Sequence, residues 1–256
     1  MPELTLTEKI ADDLRRSIEN GDLEPGGKLP SEAQLSATWD TSRVTVRRAL
    51  LTLEQEGLVA ARSGIGRVVR DYAPLDWHLT TWENGSTRPD DPGHGIDAWD
   101  HDMQLQGRNP RQEVSVSYLP APVYVAQKLQ VNVGDMLVRR RRLRFADEVP
   151  VSIADSWFER DVAERKVKGT APLLEARDMQ MAGGIIRSIG INQVRFLDEI
   201  RVRMPSSEES SLLGLPGGSP VGQHARVGVD DTDRHIRVII SVFPGHRIHC
   251  LYELEV

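Results

Sequence analysis

Apolar positions in the first seventy residues recur at helical spacing three times. Leu6, Ile10, Ala11, Leu14 and Ile18 form the first stripe. Thr5 and Glu8 open it as a capping box, in which the hydroxyl takes the third helical amide and the carboxylate reaches back. Asn20-Gly21 closes it, because glycine takes the left-handed position after a last turn without strain. A turn-rich stretch, Gly21 to Pro30, follows. Ser31 with Gln34 opens a short second helix that ends near Trp39-Asp40. A third begins at Ser42, where Val46, Ala49, Leu50 and Leu53 share one face and Gly57 supplies the stop. Its other face carries Arg43, Thr45, Arg47, Arg48 and Thr52. Beyond Gly57, Leu58 to Ala61 and Arg67 to Arg70 are β-like runs around Arg62-Ser63-Gly64-Ile65-Gly66, which predicts a hairpin.

The pattern then changes. Asp71 to Gly95 loses periodicity, and Asn84 to Gly95 has loop composition. The expected division is residues 1–72 as one domain, 73–95 as a linker and 96–256 as a second domain. Trp77, Trp82 and Trp99 are expected to anchor the linker onto that second domain. A helix is predicted from about Ile96 to Gln106. Strands are predicted around Val114–Tyr118, over Leu137–Phe145, Val151–Phe158, Val194–Met204, Val221–Val229 and Ile236–Phe243, and from Ile248 to the C-terminus. Short helices fall at Val123–Leu129, after Gly183-Gly184, and from Pro205 to Leu213. Many antiparallel-looking strands with few helices make an α+β domain.

Charge sharpens this division. The chain of 256 residues has a net charge of −6. Residues 43–70 nevertheless carry six arginines against Glu54 and Glu56, a net +4. One compact basic stretch in an acidic chain suits a local polyanion site. Short helix, tight turn and longer basic helix make helix-turn-helix order, in which the second helix of the pair enters the major groove. The hairpin behind it would be a wing. Arg43 at a helix start opposes the helix dipole, so it is expected there for a ligand rather than for stability. Arg47 is expected in the groove. Arg48 either contacts DNA or pairs with Asp40 or Glu54. Arg67 and Arg70 are expected at phosphates or in solvent.

Other classes find little support. No apolar run approaches the length of a membrane span, and the N-terminus lacks the pattern of an export signal. The single Cys250 makes no internal disulfide, which fits a reducing compartment. Neither a glycine-rich phosphate loop nor a serine elbow nor a zinc helix occurs. His246, His249 and Cys250 read as ordinary residues rather than metal ligands. No cofactor is expected.

The runs GDLEPGGKLPSEAQLS and TSRVTVRRALLTLEQEGLVAARSGIGRVV resemble the winged helix-turn-helix of the GntR family of bacterial transcription regulators. The resemblance implies DNA contacts at Arg43, Val44, Thr45, Arg47 and Arg48, and at the wing residues Ser63 and Gly64. An arginine common after Ser-Glu in the family is Ala33 here. Residues 76–253 resemble the UTRA domain of the HutC subfamily, with an actinobacterial, plasmid-transfer-repressor flavour. That carries the expectation of a chorismate-lyase-like antiparallel sheet with an effector cleft. The supporting motifs are Arg142-Leu143-Arg144-Phe145-Ala146-Asp147 with Pro150, and Met204-Pro205 with Glu208-Glu209 and Leu213-Gly214.

The resemblance places an effector anion at Arg142 and Arg144, with Gly183 and Gly184 at the start of a nearby helix. Carboxylates that accept sugar hydroxyls in relatives fall on Ala154 and Arg237. A ligand more anionic or less hydroxylated than a hexosamine phosphate is therefore expected, with Arg237 in its site. The whole reads as a cytoplasmic homodimeric repressor on a pseudo-palindromic operator, released by a small-molecule effector. An effector-free DNA binder and an enzyme using the lyase-like cleft remain alternatives at this point.

Overall fold

The computed structural model describes residues 4–62, 64–70, 74–79, 98–179, 181, 184–215 and 218–253. They divide into two compact units. One comprises Met1–Pro74 with Leu215–Ser219, and the other Leu75–Gly214 with Pro220–Val256.

The first unit contains helices α1 (Leu6–Glu19), α2 (Glu32–Thr38) and α3 (Arg43–Gln55), and strands β1 (Val59–Arg62) and β2 (Gly66–Val69). Thr5 and Ser31 form capping boxes with Glu8 and Gln34, and Ser42 caps α3 by accepting the Thr45 amide. Each such cap is worth ~1 kcal/mol. The apolar stripes meet in one core of Ile10, Leu14, Leu35, Val46, Leu50, Leu53, Val59 and Val69, with Trp39 packed against it. β1 and β2 pair antiparallel from Val59↔Val69 to Arg62↔Gly66. The glycine-rich stretch before α2 lies along β2, where Leu29 donates to the Arg67 carbonyl and Val69 to that of Gly27. The wing sheet thus gains a third, irregular strand that the turn-like composition of Gly21–Pro30 had hidden.

The second unit is built on six antiparallel strands in the order β4-β5-β6-β9-β8-β7. These are β4 (Pro110–Pro120), β5 (Met136–Ala146), β6 (Val149–Phe158), β7 (Gln193–Arg203), β8 (Val221–Asp230) and β9 (His235–Pro244). Helices α4 (Ala98–Leu105), α5 (Val123–Leu129), α6 (Arg160–Ala163), α7 (Ile185–Ser188) and α8 (Ser207–Leu213) join or cover them. Val125, Ala126 and Leu129 of α5 pack on Leu137, Trp157, Val227 and Val238 on one sheet face. On the other face α7 and the turns around it pack Ile186, Ile189 and Ile191 against Val138, Phe158 and Ile236.

Two short strands lie outside that sheet. Strand β3 (Leu75–His78) runs parallel to β10 (Ile248–Leu251), from Leu75↔Ile248 to His78↔Leu251. The span 73–95 read as a linker therefore includes a strand of the second unit, and most of the remainder lies outside the described residues. Only four residues pair there, too few for a period-2 pattern to stand out beside loop composition. Trp77 packs edge-on against Phe243, with ring centroids 5.7 Å apart, and Trp99 is buried with Met103 and Phe243. Trp82 lies outside the described residues. Among the described residues no helix is long and apolar enough to cross a membrane.

Candidate functional site

In the first unit, the turn from Trp39 to Ser42 aims the start of α3 outward. Asp40 adopts a left-handed φ of 43°, and Ser36 donates its hydroxyl to the Thr41 carbonyl. Arg43, Val44, Arg47 and Arg48 are exposed and Thr45 is half-buried, whereas Val46, Ala49 and Leu50 point into the core. Arg43 and Arg48 form no ion pair among the described residues. Neither Asp40 nor Glu54 takes Arg48.

Arg47 is placed differently. Its Nε and Nη2 donate to the two carboxylate oxygens of Glu32 on α2, at 3.1 and 2.8 Å. Glu32 also accepts from Arg67 of β2 at 2.9 Å, and Arg67 reaches Glu54 of α3 at 2.6 Å. The hydrogen bond from Arg47, then that from Arg67, holds the Glu32 carboxyl down at about 2 against the opposing effect of burial. Arg67, expected at phosphate or in solvent, is instead a strut between the wing and both helices. The pair could not be read from sequence because thirty-five residues separate its members. The wing tip carries Gly64 at φ 76°, exposed with open space beside it, so the backbone can approach a partner closely. Ser63 lies outside the described residues.

In the second unit, register settles which side chains share a face, because directly opposite residues point the same way. One row across the sheet reads Val114, Arg142, Ala154, Ser241, His224 and Ile200. The row beside it reads Val116, Arg140, Ser156, Ile239, Arg226 and Asp198. A third begins Gln112, Arg144, Ser152. The three rows hold four arginines and one carboxylate. Asp198 accepts from Arg226 Nε at 2.6 Å and lies 2.8 Å from His224 Nε2. Burial would raise its pKa, but these two partners outweigh burial and hold it well below the usual carboxylate range.

The arginines of this face do different work. Arg140 is fully buried and donates to the carbonyls of Glu175 and Arg177, clamping the segment that leads to α7. Arg226 also donates to the Leu79 carbonyl at 2.7 Å, fixing the end of β3. Arg142 is half-buried beside Ala154, and the Arg144 guanidinium lies 5.2 Å from the Trp99 ring centroid. Ser152, Ser156 and Ser241 supply buried hydroxyls to the same face. Trp77 covers His224 with ring centroids 5.4 Å apart.

Two expected effector contacts differ from this picture. Gly184 caps α7, but its amide is spent on the Met181 carbonyl at 2.8 Å, and a helix of four residues has little dipole. Gly183 lies outside the described residues. Arg237 shares the face yet sits on β9 four residues from Ser241, ~13 Å along the strand from Arg142's row. It donates to Gln193 at 2.8 Å. Sequence reading missed Arg226, His224 and the three serines. Their signal is alternation along β6, β8 and β9, which becomes informative only once the strand order is known.

Residues 6–69 match the family of bacterial regulatory proteins called gntR, and residues 105–249 match the UTRA domain. The chain is a GntR-family regulator with a UTRA domain. This GntR regulator is 28% identical to the HTH-type transcriptional regulator GgaR of Escherichia coli K12, over 97% of its own length and 88% of that protein's. It is 29% identical to an HTH-type transcriptional regulator of Streptomyces coelicolor, over 100% and 94%. Enteric and actinobacterial relatives are thus about equally similar. The crystal structure of PhnF from Mycobacterium smegmatis covers 96% of this chain, with 99% of its own, at a TM-score of 0.55 and 24% identity. Another GntR-family regulator structure covers 98% of each chain at a TM-score of 0.62 and 21% identity. The GntR regulator is a DNA-binding transcription regulator, not an enzyme.

Proposed function

We propose that the regulator is a cytoplasmic homodimeric repressor whose operator complex is released by a small anionic effector. α3 enters the major groove with Arg43, Val44, Thr45, Arg47 and Arg48 at base edges and phosphates. Ser63 and Gly64 of the wing approach the backbone nearby. Two copies related by a two-fold axis read the two halves of a pseudo-palindrome. One relative, MngR of Escherichia coli, carries the name repressor of a mannosyl-D-glycerate transport and metabolism system.

One observation carries the effector reading. Three adjacent rows of one sheet face present Arg140, Arg142, Arg144 and Arg226 against Asp198 alone. Such a face favours an anion, and the buried serines offer neutral hydrogen bonds beside it. We place the anion at Arg142 and Arg144, which are half-buried on this face, whereas Arg140 and Arg226 are buried and brace main-chain carbonyls. Directly opposite Arg142 on β6 stands Ala154 rather than a carboxylate that could take a sugar hydroxyl. The effector acts by binding one arrangement of the dimer more tightly than the other.

The test has two arms. An unbiased selection of bound DNA from the surrounding chromosome should return a two-fold sequence. Thermal-shift screening with inorganic phosphate, sugar phosphates and dicarboxylates should find stabilisers whose effect vanishes in R142A and R144A. Stabilisation unchanged in both variants would overturn the anion site, and no bound DNA at low salt would overturn the repressor.

A further inference from the structure

The arginine-bearing face of the sheet has two ends of unlike chemistry, with a floor of small side chains between them. β6 and β9 lie between β5 and β8 in the sheet. On this face β6 presents Ser152, Ala154 and Ser156, and β9 presents Ser241 opposite Ala154. Arg144 stands directly opposite Ser152, Arg142 opposite Ala154 and Arg140 opposite Ser156, so the β5 end is cationic. At the β8 end His224 stands opposite Ser241. Trp77 meets the rings of His224 and Phe243 edge-on, at 5.4 and 5.7 Å between centroids, which makes that end aromatic. Three strand spacings, ~14 Å, separate the backbones of β5 and β8, and the side chains rising from both leave room for about one six-membered ring.

Hydrogen-bonding capacity on this floor is unspent. Ser152, Ser156 and Ser241 are only 2–3% exposed, and their hydroxyls form no hydrogen bond among the described residues. A buried hydroxyl without a partner is unfavourable, so three on one face point to a polar ligand. At the β8 end the acceptor is Nδ1 of His224. Asp198, ionised beside Arg226, accepts from His224 Nε2 at 2.8 Å, which in the neutral ring leaves Nδ1 with its lone pair. We infer that the effector is a small planar acid with one hydrogen-bond donor at its far edge. This rests on the anion site at Arg142 and Arg144 and names the class of molecule that site takes. The acid group lies on those arginines with Ser152 beside it, the ring covers Ala154, and the donor meets His224 Nδ1 with Ser241 at its side. A pyranose is the poorer fit. Its hydroxyls leave the ring in every direction, and those on one edge would face the rings of Trp77 and Phe243. A flat ring presents its apolar body there instead.

Matched probes test this on the full-length protein by isothermal titration calorimetry: para-hydroxybenzoate, para-methoxybenzoate, cyclohexanecarboxylate and glucose-6-phosphate. Hydroxybenzoate should bind, and its methyl ether should bind roughly tenfold more weakly or worse, because it has lost the donor. The saturated acid and the sugar phosphate should bind more weakly than hydroxybenzoate. In H224F, which has no acceptor, hydroxybenzoate and its ether should bind alike, a convergence that mere loss of packing would not produce. Quenching of tryptophan fluorescence by hydroxybenzoate should fall in W77F. Circular dichroism checks that each variant folds, and where H224F does not, the wild-type comparison of hydroxybenzoate with its ether decides. Glucose-6-phosphate binding more tightly than both planar probes, no binding of either planar probe, or equal binding of the two to the wild type would each overturn the planar-acid class and leave the anion site standing. Binding of these acids that survived unchanged in both R142A and R144A would overturn the anion site itself.

Discussion

Arginine appears in two settings in this regulator, and the settings assign its work. On α3, Arg43 and Arg48 stand exposed, with no carboxylate drawn to them among the described residues. On β5, Arg140 is wholly buried and commits its guanidinium to two main-chain carbonyls, while Arg142 and Arg144 are half-buried on the same side. An exposed cation at a helix start gains nothing from the dipole, so its use is external. A buried one must be satisfied before it can be tolerated, and the first use of Arg140 is structural. Equal residue type and close spacing therefore do not imply equal roles.

The largest effect that would break this contrast is at Arg140. R140A should leave two buried carbonyls without their donor and cost about 2–4 kcal/mol. The second unit should then melt roughly 5–15 °C lower by calorimetry. A melting point within a degree or two of wild type would show that Arg140 clamps nothing.

On the exposed side, R43A should weaken operator binding by roughly ten- to hundredfold in a fluorescence-anisotropy titration, with no change in melting. R48A should weaken all DNA sequences alike and reduce the salt slope by about one. Equal sequence dependence for both variants would erase the distinction drawn between base reader and phosphate contact.

The smallest effect concerns Arg47, which belongs to neither setting because Glu32 holds it. The Glu32 carboxyl has a folded-state pKa lowered to about 2 from 4.5, first by the Arg47 hydrogen bond. Its stabilisation is thus full above about pH 4.5 and lost as the pH falls through about 2. E32Q should be less stable than wild type at pH 7 by about 1 kcal/mol or less, and the gap should close between pH 4.5 and 2. A gap that persisted at pH 2 would show that charge is not what Glu32 contributes.

These contrasts also mark what could be read in the residues beforehand. The first unit was legible because its signals are local. Caps at Thr5, Ser31 and Ser42 and apolar stripes one turn apart each lie within a few residues. In the second unit the alternation placed Arg140, Arg142 and Arg144 on one face, as found. The role of Arg140 was not legible, because its partners lie thirty-five and thirty-seven residues away. Nor was the position of Arg237, which shares the face with Arg142 but sits far along it. Alternation gives the side of a strand, and only register gives the distance between two residues on that side. The strut Arg47–Glu32–Arg67–Glu54 escaped for the same reason, since it joins three elements that come together only on folding.

The parallel pair of β3 and β10 bears on how the chain is made. The core of the head draws only on residues 10–69 and can close while the remainder is still being synthesised. Strand β3 emerges soon afterwards, but its partner β10 follows only after all six strands of the main sheet. The nascent regulator therefore passes through a stage in which its DNA-reading helix is finished and its sensing domain is not. Grip on the operator can precede control over it for as long as that sheet takes to emerge.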